Sequence, residues 1–383
     1  MRIIVSAGGT GGHIYPALAI IHKIKEKEPN SEILYIGTKD RMESTIIPNQ
    51  NIPYFSIDMK GLNRKNPFKN ISILKNYAKN IKILKKEIKR FNPDIVIGVG
   101  GYVTAPVIYS AKKLGYKTFI HEQNSIPGLS NKFLSHYADK IGVSLIDSIS
   151  YFPKEKVVYT GNPRSEEAYY AKEISKKELG LSLSDTKKLV LIVMGSLGST
   201  TMNQKLKDTL PLFKNKDYEV VFVTGKGYYE EYKKVVTPSN VKIVSYLDNM
   251  TQVLKKTDLI VSRAGASSIA EITVLGIPNI LIPSPYVTHN HQFKNAKSLE
   301  KNQATVIIEE ESYDKEVLVN TIDNILNDPI RYQEFHKNVS KMGVKDSATK
   351  IYKILRNLID GDKNDRINWR VKKVKYRKNY NRC

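Results

Sequence analysis

The sequence predicts two doubly wound α/β domains of similar size, and three observations predict it. The chain has 383 residues, which at ~150 residues per domain gives two or three domains. Short β-rich apolar runs alternate with helical periodicity, the pattern of parallel sheets covered on both faces. That rhythm breaks once, at the Gly/Pro-rich stretch 159–163 (YTGNP), and then resumes. Hydrophobic residues make up 41% and charged residues 26%, an ordinary globular mixture that excludes wholesale disorder and low-complexity fibres. Cys383 stands alone. A single thiol excludes an internal disulfide framework and a Cys-clustered metal site, and it suits a reducing cytoplasm.

Taken in order, residues 2–6 (RIIVS) read as a strand running into a glycine-rich turn. Residues 16–27 read as a helix with Ala17, Leu18, Ile21 and Ile24 on one side. Residues 33–36 form a second strand. Residues 71–91 form a long helix, with Ile71, Leu74, Ala78, Ile81, Leu84, Ile88 and Phe91 at three- and four-residue steps. Strands follow at 94–99 (DIVIGV) and 118–121. After the break, strands are predicted at 189–194 (LVLIVM), 219–223, 241–244, 258–261 and 280–282, and a last helix at 347–358. Beyond Gly361 the composition turns basic without apolar periodicity, and disorder is expected.

The net charge is +23, and most of it is local. Residues 60–90 carry eleven Lys/Arg against Glu87 alone, and residues 363–383 carry nine against Asp365 alone. Two such patches meet a solvated face, nucleic acid or an anionic membrane leaflet. No RNA-recognition signature, basic zipper or zinc finger is present. No apolar run approaches the ~20 residues of a spanning helix, and the opening MRIIVSAGG is too short in apolar residues for a signal peptide.

Glycine-rich loops follow the strands. Gly8-Gly9-Thr10-Gly11-Gly12-His13 stands between strand and helix, where backbone N–H groups and the helix N-terminus can meet an anion. It is neither a G-x-G-x-x-G fingerprint nor a Walker A loop. His13, at the end of this loop, is placed for general-base work. Gly98-Val99-Gly100-Gly101-Tyr102 and His121-Glu122-Gln123-Asn124 follow two more strands, so in a parallel sheet the three loops converge on one crevice. Gly195-Ser196-Leu197-Gly198 opens the second half in the same way. The segment 262–268 (SRAGASS) can cradle phosphate oxygens, with Glu271 further along its helix facing ribose hydroxyls. His289 and His291 lack the spacing of a metal site on one helix face and suit a polyhydroxylated ligand. No Asp-X-Asp motif stands at a strand end, so no metal or cofactor is expected, and amides, helix dipoles and Arg must neutralise a diphosphate.

Seven motifs, GGTGGHIYPA (8–17), GVGGY (98–102), HEQN (121–124), TGNPR (160–164), GSLGS (195–199), SRAGASSIAE (262–271) and HNHQFKNA (289–296), occur in the order and approximate spacing of one family. Over roughly residues 1–360 the chain closely resembles the MurG family of bacterial glycosyltransferases. The resemblance implies a GT-B fold, two Rossmann-like domains facing a cleft. It implies UDP-N-acetylglucosamine as donor, lipid I (undecaprenyl-pyrophosphoryl-N-acetylmuramoyl-pentapeptide) as acceptor, and lipid II as product through an inverted β-1,4 linkage. It also implies a peripheral enzyme on the cytoplasmic face of the cell membrane.

Carried over by matching position, the donor site comprises Thr10, Gly11, Gly12, Asn124, Arg164, Ser196, Leu247, Ala266, Ser267, Ser268, Ile269, Ala270, Glu271 and Gln292, with Leu247 meeting uracil through its backbone. His13 matches the family's essential histidine. Gly100, Gly101, Tyr102 and Glu122 line the acceptor side. The expected domains are 1–160 (acceptor and membrane), 161–345 (donor), a helix at 346–361 and a basic tail at 362–383. Leu62, Arg64, Lys65, Phe68, Lys69 and Ile73 are the expected membrane contacts, facing an anionic surface rather than nucleic acid. Leu197 departs from the family's usual Gln, and Ser268 from its commoner Thr. The rivals are a relative that glycosylates diacylglycerol and a nucleic-acid-binding protein; the second leaves the loops unexplained.

Overall fold

The computed structural model describes residues 1–59, 61, 70–195 and 198–361. Ser196, Leu62, Arg64, Lys65, Phe68, Lys69 and the tail 362–383 lie outside the described residues, as does the side chain of Ile73.

Two parallel sheets carry the fold. The first has β1 (Arg2–Ser6), β2 (Glu32–Thr38), β3 (Tyr54–Ile57), β4 (Ile95–Gly98), β5 (Lys117–Glu122), β6 (Lys140–Val143) and β7 (Val157–Tyr159), in the order β3-β2-β1-β4-β5-β6-β7. The second has β8 (Lys188–Val193), β9 (Tyr218–Val223), β10 (Val241–Val244), β11 (Leu259–Ser262), β12 (Asn279–Leu281) and β13 (Val306–Ile307), in the order β10-β9-β8-β11-β12-β13. Their central strands are continuous apolar runs because both faces are covered. Ile3, Ile97 and Phe119 pack on one face of the first sheet, and Ile4, Val96 and Ile120 on the other.

In each sheet the strand order reverses beside its first strand, between β1 and β4 and between β8 and β11. Consecutive connections leave in opposite directions there, which opens a crevice at the strand C-termini. The chain passes to the second sheet after β7 and returns. The helix Ser347–Asp360 buries Ile351, Ile354 and Leu355 in the first sheet's core, beside the helix Gly11–Lys27.

β3, β6, β7 and β13 are not predicted by the sequence pattern. These strands have two to four residues, too few to set a periodicity, and the neighbouring strand supplies their pairing. The first helix starts at Gly11, not near Pro16. Thr10 is extended (φ −145°, ψ 158°), and its carbonyl accepts from His13 N and Ile14 N at 3.1 and 3.2 Å. Gly11, Gly12 and His13 therefore occupy the first turn. Among the described residues no helix is long and apolar enough to cross a membrane.

Candidate active site

The first wall is made by the loops after β1, β4 and β5. Gly8 N donates to Gly100 O at 3.2 Å, and Gln123 Nε2 donates to Val99 O at 2.9 Å, so the three loops are bonded together. Gly101 holds φ +91° and lies against Gly8, where a Cβ would collide with the Gly8 carbonyl. Gly100 holds φ +110°, and a Cβ there would stand 2.5 Å from His13 Cδ2. Only glycine gives both the left-handed conformation and the close approach.

The ring of His13 thus rests on Gly100, with Nδ1 3.1 Å from Gly8 O. A carbonyl can only accept, so Nδ1 carries the proton and Nε2 keeps its lone pair. Burial lowers the His13 pKa; the Gly8 carbonyl and Glu122 push it up, and His291 pushes it down. His291 belongs to the second sheet's half, and from that half Asn295 Nδ2 reaches Asn124 Oδ1 at 3.2 Å, so the two walls meet across the cleft. A neutral imidazole with a free Nε2 is a base at neutral pH. Below it Glu43 is fully buried. Its carboxylate accepts from Gly9 N at 3.0 Å, Thr38 N at 3.2 Å and Thr38 Oγ1 at 2.7 Å, which fixes the glycine loop. Nothing in the sequence around Glu43 signals this.

Glu122 requires a correction. The sequence reading turned it toward the acceptor, yet it is 2% exposed. Its oxygens accept from Asn124 N (2.9 Å), Asn124 Nδ2 (3.2 Å), Gly128 N (3.1 Å) and Asn131 Nδ2 (2.9 Å), so it shapes its own loop. His121 is buried as well. Its Nε2 donates to Gly161 O at 3.0 Å, and its Nδ1 accepts from Gln123 Nε2 at 3.1 Å. Burial drops its pKa to about 4. His121 is a neutral tie between this loop and the inter-domain crossing.

The second wall rests on ion pairs. Arg263 and Glu310, 7% and 4% exposed, pair at 2.6 Å behind the loop that follows β8. Arg263 Nη2 also donates to Ser199 Oγ at 2.8 Å, and Ser199 caps the helix Thr200–Lys207. The helix Ala266–Leu275 begins after Gly265 with no side-chain cap, which leaves its first N–H groups for an anion. Gln292 Oε1 accepts from Ser284 N at 2.9 Å. Leu247 is 4% exposed and packs in the core, so its backbone alone can meet a ligand.

Three further expectations change here. Ile269 is 1% exposed and belongs to the second core, and Ala270 lines a cavity between the domains. Glu271 is committed to an ion pair rather than free for hydroxyls. Arg164 Nη2 and Nε reach Glu271 Oε1 at 2.7 and 3.1 Å, and Arg164 Nη1 meets Glu167. Burial raises the Glu271 pKa while Arg164 draws it down. The Arg164 guanidinium lies 5.9 Å from the Tyr15 ring centre.

Thr10, Gly11, Gly12, His13, Gly100, Gly101, Tyr102 and Asn124 thus stand on the first wall; Arg164, Ala266, Ser267, Ser268, Glu271 and Gln292 stand on the second. Asn295, fully buried, joins them. Its Oδ1 accepts from Ser125 N at 2.9 Å and Ser125 Oγ at 3.0 Å, and its Nδ2 donates to Asn124 Oδ1 and Ala264 O, both at 3.2 Å. The motif HNHQFKNA contained Asn295 without marking it.

Two family models match the chain: the glycosyltransferase family 28 N-terminal domain over residues 3–143 and the family 28 C-terminal domain over residues 189–351. The chain belongs to glycosyltransferase family 28. It is 46% identical over 364 residues to the UDP-N-acetylglucosamine–N-acetylmuramyl-(pentapeptide) pyrophosphoryl-undecaprenol N-acetylglucosamine transferase of Bacillus cytotoxicus, covering 94% of this chain and 100% of that one. The enzyme of the same name from Bacillus licheniformis is 44% identical, over 94% and 99%. Among solved structures, Acinetobacter baumannii MurG matches with TM-score 0.73 at 25% identity, covering 93% of this chain and 99% of that one. The S. aureus MnaA–UDP co-structure shares the fold, with TM-score 0.67 at 17% identity over 94% and 97%. The architecture is the GT-B fold, and in this family 28 chain the cleft lies between its two Rossmann-like halves.

Proposed function

We propose that the chain transfers N-acetylglucosamine from UDP-N-acetylglucosamine to undecaprenyl-pyrophosphoryl-N-acetylmuramoyl-pentapeptide. The end-to-end identity with transferases of that name carries the reading, and the neutral His13 facing the second wall supports it. The acceptor hydroxyl attacks the anomeric carbon from the face opposite UDP, and the bond to the diphosphate breaks. His13 Nε2 takes the hydroxyl proton as the new bond forms. The diphosphate leaves with the electron pair, and its charge is met by the helix N-terminus at Ala266 and by Arg164. Donor binding draws Arg164 from Glu271 toward the diphosphate.

Residues 1–160 form the acceptor domain and 161–345 the donor domain, with 346–361 as a strap. The acceptor is lipid-anchored, so the protein works as a peripheral enzyme on an anionic cytoplasmic leaflet. Leu129, Phe133 and Tyr151 are 58%, 47% and 46% exposed, and Lys113 and Lys132 stack on neighbouring tyrosines; this mixture of aromatic, apolar and basic groups suits a membrane interface.

The test is transfer of labelled N-acetylglucosamine to a lipid I analogue and, in parallel, to diacylglycerol. Labelled lipid II is expected. No transfer, or transfer to diacylglycerol alone, overturns the reading.

A further inference from the structure

A cavity of about 840 Å³ lies behind the cleft, between the two domains. Leu145, Ile146 and Val158 line it from the first domain, and Ala270, Thr273 and Leu299 from the second. Of the residues on the two walls only Ala266 lines it, so the cavity adjoins the cleft at that residue and otherwise lies apart from it.

Its walls are mainly apolar, but two buried polar groups on them are unmatched. Asn162 is 1% exposed and Ser144 is 7% exposed. Among the described residues Asn162 Nδ2 and Ser144 Oγ have no hydrogen-bond partner, a state that costs roughly 1–3 kcal/mol per group. The charged lining residues are Asp147, Lys154, Lys341 and Lys350. Asp147 pairs with Lys301 at 3.4 Å and Lys350 with Asp346 at 2.9 Å. Lys341 donates to the neutral Asn338 Oδ1 at 3.1 Å. Lys154 and Lys341 therefore have no carboxylate partner among the described residues, and they come from opposite domains.

We infer that this cavity binds a single-chain amphiphile with an anionic head. The apolar walls take the chain, and the two lysines and the Asn162 amide supply donors for the head. Apolar pockets with a few convergent polar groups at a domain interface are the usual form of such sites. An occupant would touch both walls of the cleft at one remove. Ser144 N donates to Glu122 O at 2.9 Å, and Asn162 Oδ1 accepts from Arg164 N at 3.1 Å.

The test is calorimetric titration of the full chain with decyl phosphate, decanoate and decanol, each below its micelle-forming concentration. Both anions should bind at a single site, with decanol weaker by about tenfold or more. The Lys154→Glu/Lys341→Glu double variant should lose about tenfold or more of the anion affinity while its UDP affinity stays unchanged. Ile146→Trp, which adds ring bulk to the lining, should weaken anion binding with the thermal midpoint retained. If the double variant unfolds, the single Lys154→Ala and Lys341→Ala variants carry the same comparison. The inference is overturned if neither anion binds, which would mean water alone occupies the cavity. It is also overturned if decanol binds as well as the anions, if the lysine variants change nothing, or if UDP displaces the probe and so places it in the cleft.

Discussion

The two walls of the cleft are built by different means. The first is shaped by backbone: Gly100 and Gly101 lie in the left-handed region, packed against His13 and Gly8, and Glu43 bonds the loop from beneath. The second is held by charge: Arg263 against Glu310, and Arg164 against Glu271. A close-packed loop presents one fixed base. A wall of ion pairs can exchange a carboxylate for a phosphate when the donor arrives, because each pair already holds a cation in place. The first wall is thus suited to the chemical step and the second to binding the leaving group.

His13→Ala tests this division most severely. Turnover should fall by ~10²–10⁴, with UDP affinity nearly unchanged in direct titration. Equal losses in both would erase the distinction between the walls. Next is Glu310→Ala, which leaves Arg263 buried without its partner. Breaking a buried pair in this way costs about 3–5 kcal/mol, read as a shift of the urea midpoint, and UDP binding should weaken with it. Loss of stability with UDP affinity intact would show that the pair supports the core and not the wall.

The first domain also has a pH signature. His121 titrates near 4 when folded, against an ordinary value of 6.5. The unfolded chain takes up this proton first, so the group's contribution is complete above pH 6.5 and is lost as pH falls toward 4. The loss amounts to about 3 kcal/mol. Chemical denaturation across that range should show it, and His121→Gln should flatten it. The lowered pKa of His13 acts on rate instead: the acid limb of the turnover profile should fall below the ordinary histidine range. The smallest effect belongs to Tyr15→Ala. Removing the ring beside Arg164 takes away about 0.5–1 kcal/mol of cation–π contact, a few-fold change in UDP affinity with turnover at saturation preserved.

The alternation of strands and helices, the glycine loops after β1, β4 and β8, and His13 at a loop end were legible in the sequence. Each is local: a run of apolar β-branched residues, glycines at a strand end, a titratable side chain beside them. The seven motifs named the cleft because they follow strand ends, and parallel sheets bring strand ends to one edge. Tertiary structure decided what the carboxylates and amides do. Glu43 and Glu122 look alike in sequence to any exposed acid, yet both are buried beneath the loops they hold. Asn295 meets Asn124 and Ser125 across more than 160 residues of chain, and Arg263 finds Glu310 only once the segments that follow β11 and β13 have been brought together. A polar side chain's role depends on its partner and on its access to water, and neither is set until the sheets have packed.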